Sequence, residues 1–597
     1  MPRSYLSLRL HFVSLAVYTL LAFLAVSSVL PNLASAYIGN GQDPILTMWF
    51  LKWIPYALMH RLNPLVTDYI FSYSGINLTW NTAVPLIGII MSPVTWTGGL
   101  MFSYNIALIL GLIGSAWTAY FVASRFGCRF LAALLAGGVY GFSPFTMAHA
   151  LGHLHLVVAF APPLFLLLLR DALVAQRQAP WIGGIKLAGL VVAQYLISTE
   201  VLLTVALLSL FAICAICISC ARTLTRQQLM HAAQALLFSL LLTLPLLSVF
   251  LYFQFIGPWR PAQPIHSPSR YVADLLSFIL PTSIQGMSIG ASRIITSHFS
   301  GNLEEWNTYL GIPLIILLTH IFYIRREDRT VKFLFAFLLG AAVLSMGPFL
   351  HLGGNVTGIL LPWRLFEHMP IVQNIQTTRF GEYIYLLAGL LLAIYISQES
   401  ISLARRIGRF AVSLAAVVFL MPTVPFPITY PKVPEFFRSP GIARDIESPA
   451  LVLPFATAGC TTSMLWQAQS GFAFQMPEGF AIGPEAEDKN YGPKPTPLSR
   501  ALLEIQDSGH LPAITSALHA EIIGVLKRHQ IKTILLGPSQ HEGELLTFLT
   551  RSLGWPPESK GGVLVWRHVD RHISSEFGTM ARVDSRSDGT VGWHPCL

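Results

Sequence analysis

FVSLAVYTLLAFLAVSSVL, residues 12–30, followed by PNLASAYIGNGQDP, residues 31–44, is the stretch that decides the fold. The first part is an uncharged apolar run long enough to cross the hydrocarbon of a bilayer as a helix. It is too long for the apolar core of a cleaved leader, and Ala34-Ser35-Ala36 is the only rival cleavage site. The second part places one carboxylate, Asp43, just beyond the membrane in the glycine-rich loop Gly39-Asn40-Gly41-Gln42-Asp43-Pro44. An aromatic-rich run from Trp49 to Tyr56 follows it.

The whole chain repeats this pattern. Its 597 residues are 53% hydrophobic and 11% charged, with a mean hydropathy of +0.59. Soluble domains carry about a quarter charged residues, so the composition excludes an ordinary soluble globule. It predicts a mainly α-helical integral membrane protein, because a helix satisfies its own backbone groups in lipid. The net charge of +9 does not point to nucleic acid. The cations sit in short breaks between apolar runs, as the positive-inside rule describes, and not in one aromatic-studded patch.

Those breaks orient the chain. Arg3 and Arg9 precede the first run and put the N-terminus in the cytoplasm. The later breaks are Arg125/Arg129, Arg170/Arg177, Arg222/Arg226, Arg325/Arg326/Arg329/Lys332 and Arg405/Arg406/Arg409, and two spans must separate each from the next. Eleven spans satisfy this: 12–30, 104–124, 130–148, 154–170, 182–199, 201–220, 233–255, 309–324, 333–350, 380–398 and 409–425. Counting 84–98 as a crossing would reverse every later helix. Pro85, Pro93 and Gly98-Gly99 interrupt it, so it reads as an interfacial or re-entrant helix.

Regions 31–103, 149–153, 256–308 and 351–379 then become extracytoplasmic, as does everything after about 426. The polytopic domain spans 1–425 and includes a first outer loop with interfacial helices, 31–103, and a second long outer loop, 256–308. Beyond a proline-rich linker, 426–597 is a separate extracytoplasmic α/β domain, of the size of a small independent fold. Short strands are expected at 450–453, 531–536 and 562–566, and helices at 497–507, 514–528 and 542–553. Cys214, Cys217 and Cys220 share a helix face with no His or carboxylate beside them; small-residue packing is favoured over a metal site. Nothing in the spacing supports a disulfide between Cys460 and Cys596.

On this topology the ionisable residues gather at one surface. They are Asp43 and Asp68 in the first loop; His149, His153 and His155 between the third and fourth spans; and Glu200 between the fifth and sixth. Asp274, His298, Glu304 and Glu305 lie in the long loop, and His351, Arg364, His368 and Arg379 lie before the tenth span. Such a set suits a phosphate-bearing lipid, since arginine offers fork-shaped donors to phosphate and a carboxylate can take a hydroxyl proton. Each has a plainer reading. Asp before Pro commonly caps a helix or forms a turn, Glu200 could snorkel at the interface, and Arg379 could anchor its helix there. His153 and His155, two apart, would face different sides of a helix, which favours a phosphate or sugar contact over a metal pair. No P-loop, GxSxG or HExxH pattern occurs.

The layout resembles the GT-C superfamily of polytopic glycosyltransferases, and more closely a group of uncharacterised bacterial GT-C-like membrane proteins. The resemblance rests on Asp43-Pro44 with Trp49-Phe50-Leu51, Thr67-Asp68-Tyr69 and Asn77-Leu78-Thr79-Trp80-Asn81. It continues through Tyr140-Gly141-Phe142-Ser143-Pro144, Gly152-His153-Leu154, Tyr309-Leu310-Gly311-Ile312-Pro313 and Thr378-Arg379-Phe380. Leu453-Pro454-Phe455 and Met464-Leu465-Trp466-Gln467 complete it. It implies that Asp43 is the catalytic base or helps hold a metal, that Glu304 or Glu305 matches an acid of the long loop, and that Arg379 grips a lipid phosphate. Gln42 stands where many members carry a second acid, and no DxD occurs. A divalent metal, Mg or Mn, is therefore left open.

The expected activity is transfer of a sugar from a polyprenyl-phosphate-linked donor to an extracytoplasmic acceptor (a glycan, lipid or protein), with inversion. Asp43 would be catalytic, and Arg379, His153, His155, Glu304, Glu305, Asp68 and Glu200 would bind donor or substrate. The expected partners are the lipid-linked donor, membrane lipids and the acceptor, with no nucleic acid, in a bacterial inner membrane. The alternative is a non-catalytic glycan-binding scaffold or a lipid-linked-glycan transporter. A transporter would show internal repeats and mid-membrane charges, and neither is visible in the chain.

Overall fold

The computed structural model describes residues 8–219, 225–399, 402–439, 441–485 and 491–573. Arg3, Arg222, Cys220 and Cys596, all used in the sequence reading, lie outside the described residues, as does the side chain of Cys217. The chain divides into two compact units. The first comprises Met1–Arg61, Thr82–Ile256 and Gln263–Tyr430; the second comprises Leu62–Asn81, Gly257–Ala262 and Pro431–Leu597.

The first unit is helical because its sequence is a succession of apolar runs with few polar side chains to compete for the backbone. Helices fall on each of the eleven expected stretches, among them Leu8–Ala25, Phe130–Gly141, Arg226–Phe255 and Gly381–Ser397. Among the described residues, five helical segments are long and apolar enough to cross a membrane: Leu8–Ala25, Pro85–Arg125, Leu154–Ala175, Arg226–Phe255 and Thr377–Ser397. The stretch 84–98 forms the first arm of Pro85–Arg125, which breaks at Gly99, where φ is 85° and ψ 176°. Only glycine takes that conformation cheaply, so the Gly98-Gly99 pair separates two helices in one element.

Small residues let the helices approach closely. A Cβ on Gly137 would lie 2.1 Å from Tyr18 Oη and 2.4 Å from the Ala116 carbonyl, and one on Gly389 would lie 2.9 Å from the Ala136 carbonyl. In an apolar solvent such backbone approach drives helix association, since burying leucine gains nothing there. The Gly381–Ser397 helix is buried along nearly its whole length. The Arg226–Phe255 helix instead exposes Leu236, Leu241, Leu244 and Leu246, a surface suited to lipid.

Two short antiparallel pairings brace the loops of this unit. Tyr37–Ile38 pairs with Ile428–Thr429, and Phe349–Leu352 pairs with Asn355–Leu360. The turn of that hairpin is held by Asp274, whose carboxylate accepts the Gly353 and Gly354 N–H groups at 3.0 and 2.8 Å and also caps Leu276.

The second unit holds a four-stranded sheet. Ala450–Leu453 runs parallel to Thr533–Leu536; Val563–Trp566 pairs antiparallel with the latter and carries Glu558–Lys560 at the edge. Helices Pro497–Ser508, Ser516–Arg528 and Glu542–Leu553 bury Leu502, Ile505, Leu526 and Leu549 against Leu453, Ile534 and Trp566. Strands and helices occupy the positions expected from their periodicity.

The unit also takes in residues 62–81, which the sequence reading assigned to the first outer loop of the polytopic domain. Asn81 exchanges hydrogen bonds with the Ile482 backbone at 2.7 and 3.1 Å. Gln467 Nε2 donates to the carbonyls of Tyr69 and Phe474, at 2.7 and 2.9 Å. Asn77 Nδ2 donates to the Pro258 carbonyl at 2.9 Å. Several of the motifs behind the family resemblance thus tie this unit together.

Candidate functional site

The site is built in the first unit where two loops meet. Ser143 caps the short helix Pro144–His149 by accepting the Thr146 N–H at 3.1 Å, and Pro144 presets the first turn. This puts His149 in its last turn. The chain then tightens, with the N–H groups of Gly152 and His153 both reaching the His149 carbonyl. The facing loop leads into the helix Asp43–Met59, with Asp43 and Pro44 as its first residues.

The two loops touch through glycines. Gly39 has φ of +94°, and a Cβ there would lie 1.9 Å from the Leu151 carbonyl oxygen. A Cβ on Gly152 would lie 3.3 Å from Asp43 Cβ. Larger residues at either place would push the aspartate loop away from the histidine loop.

The contact puts the Asp43 carboxylate, 43% exposed, 3.3 Å from His153 Nε2. His153 Nδ1 lies 2.8 Å from His149 Nδ1, so one proton is shared between the two rings. His149 is fully buried, and its Nε2 has no hydrogen-bond partner. The third wall is Glu305, whose carboxylate receives Arg379 Nη1 at 2.6 and 2.7 Å and the Thr378 hydroxyl at 2.5 Å. Arg379 Nε reaches Glu200 at 3.0 Å, its Nη2 donates to Gln376 Oε1, and Glu200 also accepts the Gln376 N–H at 2.8 Å. Glu200, costly in an apolar setting, is thereby paired.

The electrostatics follow from this chain of contacts. Burial pushes His149 well below its ordinary range, helped by Arg379 and His153, and keeps it neutral. Burial acts the same way on His153, but the hydrogen bond and charge of Asp43, with Glu305, outweigh it and favour the imidazolium. Burial raises Glu305, yet Arg379 and His153 bring it below the usual carboxylate range. Glu304, half-buried beside this set, is raised mainly by burial.

One ligand atom from each of His149, His153 and Glu305 lies within 4.8 Å of the others. Two imidazoles and a carboxylate, with an unpartnered buried Nε2, are a donor set that fits a divalent transition ion such as Mn better than Mg, which prefers oxygen.

The sequence candidates therefore separate. Asp43, His153, Glu305, Arg379 and Glu200 form one connected cluster, with Glu304 in electrostatic range. His155 is buried, with its ring centroid 5.8 Å from that of His153. Asp68 belongs to the second unit and is exposed. Asp274 holds the hairpin turn, and Arg364 and His368 pair with Glu367.

Two features were missed. Gln376 completes the coordination of Arg379 and Glu200, and Thr378 that of Glu305. Glu382, one turn beyond Arg379, is fully buried with Oε1 against Tyr140 Oη at 2.6 Å and Oε2 without a partner. An acid inside an apolar span was a legible signal for it.

No protein-family model matches the chain, and no curated protein matches it. Among solved structures, it is similar to a cryo-EM structure of the arabinofuranosyltransferase AftD from mycobacteria, with a TM-score of 0.52 and 14% identity. The match covers 95% of this chain and 42% of that one, so this chain spans less than half the length of that relative. The Archaeoglobus fulgidus oligosaccharyltransferase, in its apo form, aligns over 89% of this chain and 70% of that one, with a TM-score of 0.48 and 10% identity. The second likeness is too weak to argue from. The first shows the fold alone: the chain shares the overall architecture of that arabinofuranosyltransferase structure.

Proposed function

We propose that this protein is a membrane glycosyltransferase that moves a sugar from a polyprenyl-phosphate-linked donor to an extracytoplasmic acceptor. The observation that carries the reading is the half-exposed Asp43 carboxylate held against His153, on a buried Glu305–Arg379–Glu200 framework. The shared fold supports it. In this reading the N-terminus is cytoplasmic, the cluster lies at the outer face of a bacterial inner membrane, and the second unit is extracytoplasmic.

Asp43 takes the proton of the acceptor hydroxyl as that oxygen attacks the anomeric carbon. The bond from that carbon to the phosphate oxygen breaks with inversion, and the lipid phosphate leaves with the electron pair. His153, drawn toward its charged form by Asp43, stabilises the negative charge that develops on the leaving phosphate. Arg379 acts on the same charge through its field, because Glu305, Glu200 and Gln376 engage its donors. His155, Glu304 and Asp68 are proposed to contact donor or acceptor. A divalent ion would be held by His149, Glu305 and His153 in its neutral form, and would then supply the positive charge for the phosphate in place of the His153 imidazolium.

The test is release of polyprenyl phosphate from lipid-linked sugars by purified protein. Asp43→Asn should abolish release and leave the protein folded. Near-normal turnover in that variant would remove Asp43 from the chemistry, and donor binding without release in the unmodified protein would favour the scaffold reading.

A further inference from the structure

One buried acid takes no part in the proposed transfer. Glu382 lies on the Gly381–Ser397 helix and is 1% exposed. Its Oε1 stands 2.6 Å from Tyr140 Oη, and that hydroxyl is also 2.8 Å from the Ala159 carbonyl. Tyr140 has a single hydroxyl proton for the two oxygens. The residues three and four past Ala159, which would donate to its carbonyl as the next helix begins, are Pro162 and Pro163, and proline has no N–H. The Tyr140 proton therefore goes to Ala159, and the proton between Tyr140 and Glu382 must come from the acid.

We infer that Glu382 is an undissociated carboxylic acid and a positioning residue for the histidines of the site: its O–H donates to Tyr140, Tyr140 donates to Ala159, and this relay holds the loop 143–158 against the helix that follows Arg379. The acid form also fits Oε2, which has no partner. The lone carbonyl oxygen of a neutral acid is far less costly to bury than half of an anion. The ionisable groups facing Glu382 are Tyr140, Tyr383 and Arg379. The Tyr383 hydroxyl pairs with that of Thr204 at 2.7 Å, and Arg379 directs its donors to Glu305, Glu200 and Gln376, so neither pairs with a carboxylate at Glu382.

Tyr140 is placed to fix both ends of the loop. Its own carbonyl accepts the Thr146 hydroxyl at 3.0 Å at the entry, and its side chain holds Ala159 at the exit. Ser115 grips the same exit from another helix, donating to the Val157 carbonyl at 2.8 Å and accepting the Ala159 N–H at 2.9 Å. Between the ends, the Phe145 ring centroid lies 4.3 Å from that of His149, and a Cβ on Gly381, the neighbour of Glu382, would lie 3.1 Å from the same Phe145 ring. The effect on turnover rests on the proposed transferase reading; the proton itself can be read without turnover.

The experiment uses the full chain in detergent, with glutamate labelled with carbon-13 at the side-chain carboxyl and observed by NMR. The resonance missing from the Glu382→Gln spectrum is that of Glu382. Near neutral pH it should have the chemical shift of an undissociated acid, and Tyr140→Phe should displace it. In transfer assays Glu382→Leu and Tyr140→Phe should each lower kcat about tenfold, as loss of a buried hydrogen-bond partner does, with KM within about twofold. Glu382→Gln, whose amide N–H replaces the acid O–H, should keep kcat within about threefold. Hydrogen exchange at the Gly152 and His153 amides, which donate to the His149 carbonyl, should quicken in Glu382→Leu and Tyr140→Phe but not in Glu382→Gln.

A carboxylate shift for Glu382, a Glu382→Gln protein as impaired as Glu382→Leu, or a rise in KM with kcat unchanged would each overturn the proposal. If the unmodified protein transfers no sugar, the transferase reading fails, while the chemical shift and the exchange rates still decide this one.

Discussion

Arg379→Met tests how the buried charges of the site are balanced. The arginine side chain is 4% exposed and sits between Glu305, at 2% exposed, and Glu200, at 22%. Removing it leaves two carboxylates without their shared cation, one of them fully buried. Stranding a buried charge in this way costs about 3–5 kcal/mol. Glu305→Met is milder: Arg379 Nη1 and the Thr378 hydroxyl lose their acceptor, but Arg379 keeps Glu200 and Gln376. A cost about 2 kcal/mol smaller is expected from the loss of charge-assisted bonds without a stranded ion.

The double variant Glu305→Met/Arg379→Met should be less unstable than the sum of the two, with a coupling of about 2 kcal/mol, since it strands only the partly solvated Glu200. Thermal unfolding of the three variants in detergent, followed by tryptophan fluorescence, gives the ranking. If Arg379→Met melts no lower than Glu305→Met, or if the double change equals the sum, the charges are not coupled as their distances require.

Other expectations follow from single features. Gly39→Ala should cut transfer more than tenfold, because the residue has φ of +94° and its Cβ would meet the Leu151 carbonyl at 1.9 Å, displacing the Asp43 loop; unchanged turnover would show that the loop tolerates the shift. In the second unit, burial raises Glu478 to about 8, with Val452 donating its N–H to the carboxyl at 2.9 Å. Its folded value thus lies above its unfolded one, so the neutral form stabilises the unit fully below about pH 4.5, and this is lost as pH rises through 8. The loss is up to about 5 kcal/mol. Glu478→Gln should flatten that decline, read by hydrogen exchange of the Ala450–Leu453 amides between pH 5 and 8; a variant with the same decline would refute it. Chelation by EDTA should lower transfer, Mn should restore it better than Mg, and His149→Ala should weaken that restoration. Full activity after exhaustive chelation would remove the ion.

Much of the first unit was legible because lipid leaves the backbone no alternative to a helix, so an apolar run such as 233–255 declares its structure in its composition. Asp43 stood out as a lone acid just past a span, although an acid before proline reads equally as a cap or turn former. Its surroundings were not legible. The His149–His153 contact depends on how tightly the chain turns at Gly152, and the Arg379–Glu200 bond joins residues 179 positions apart. Arg379 looked like a free phosphate grip because its sequence neighbours are uncharged; its partners come from two other loops. The place of 62–81 was hidden similarly, since its hydrogen bonds reach residues about 400 positions away and leave no local periodicity.

That last arrangement has a consequence for how the molecule is made. Residues 62–81 leave the ribosome early, but the strands and helices that complete their unit begin at Pro431. At roughly 5–20 residues per second, the early segment waits on the order of 20–70 s for its partners while most of the helices of the first unit are inserted. During that interval its apolar residues, Ile70, Phe71 and Ile76 among them, have no core to enter. Assembly of the second unit is therefore gated by completion of the membrane unit, and a chain stalled during insertion would carry an open, aggregation-prone segment from its first loop.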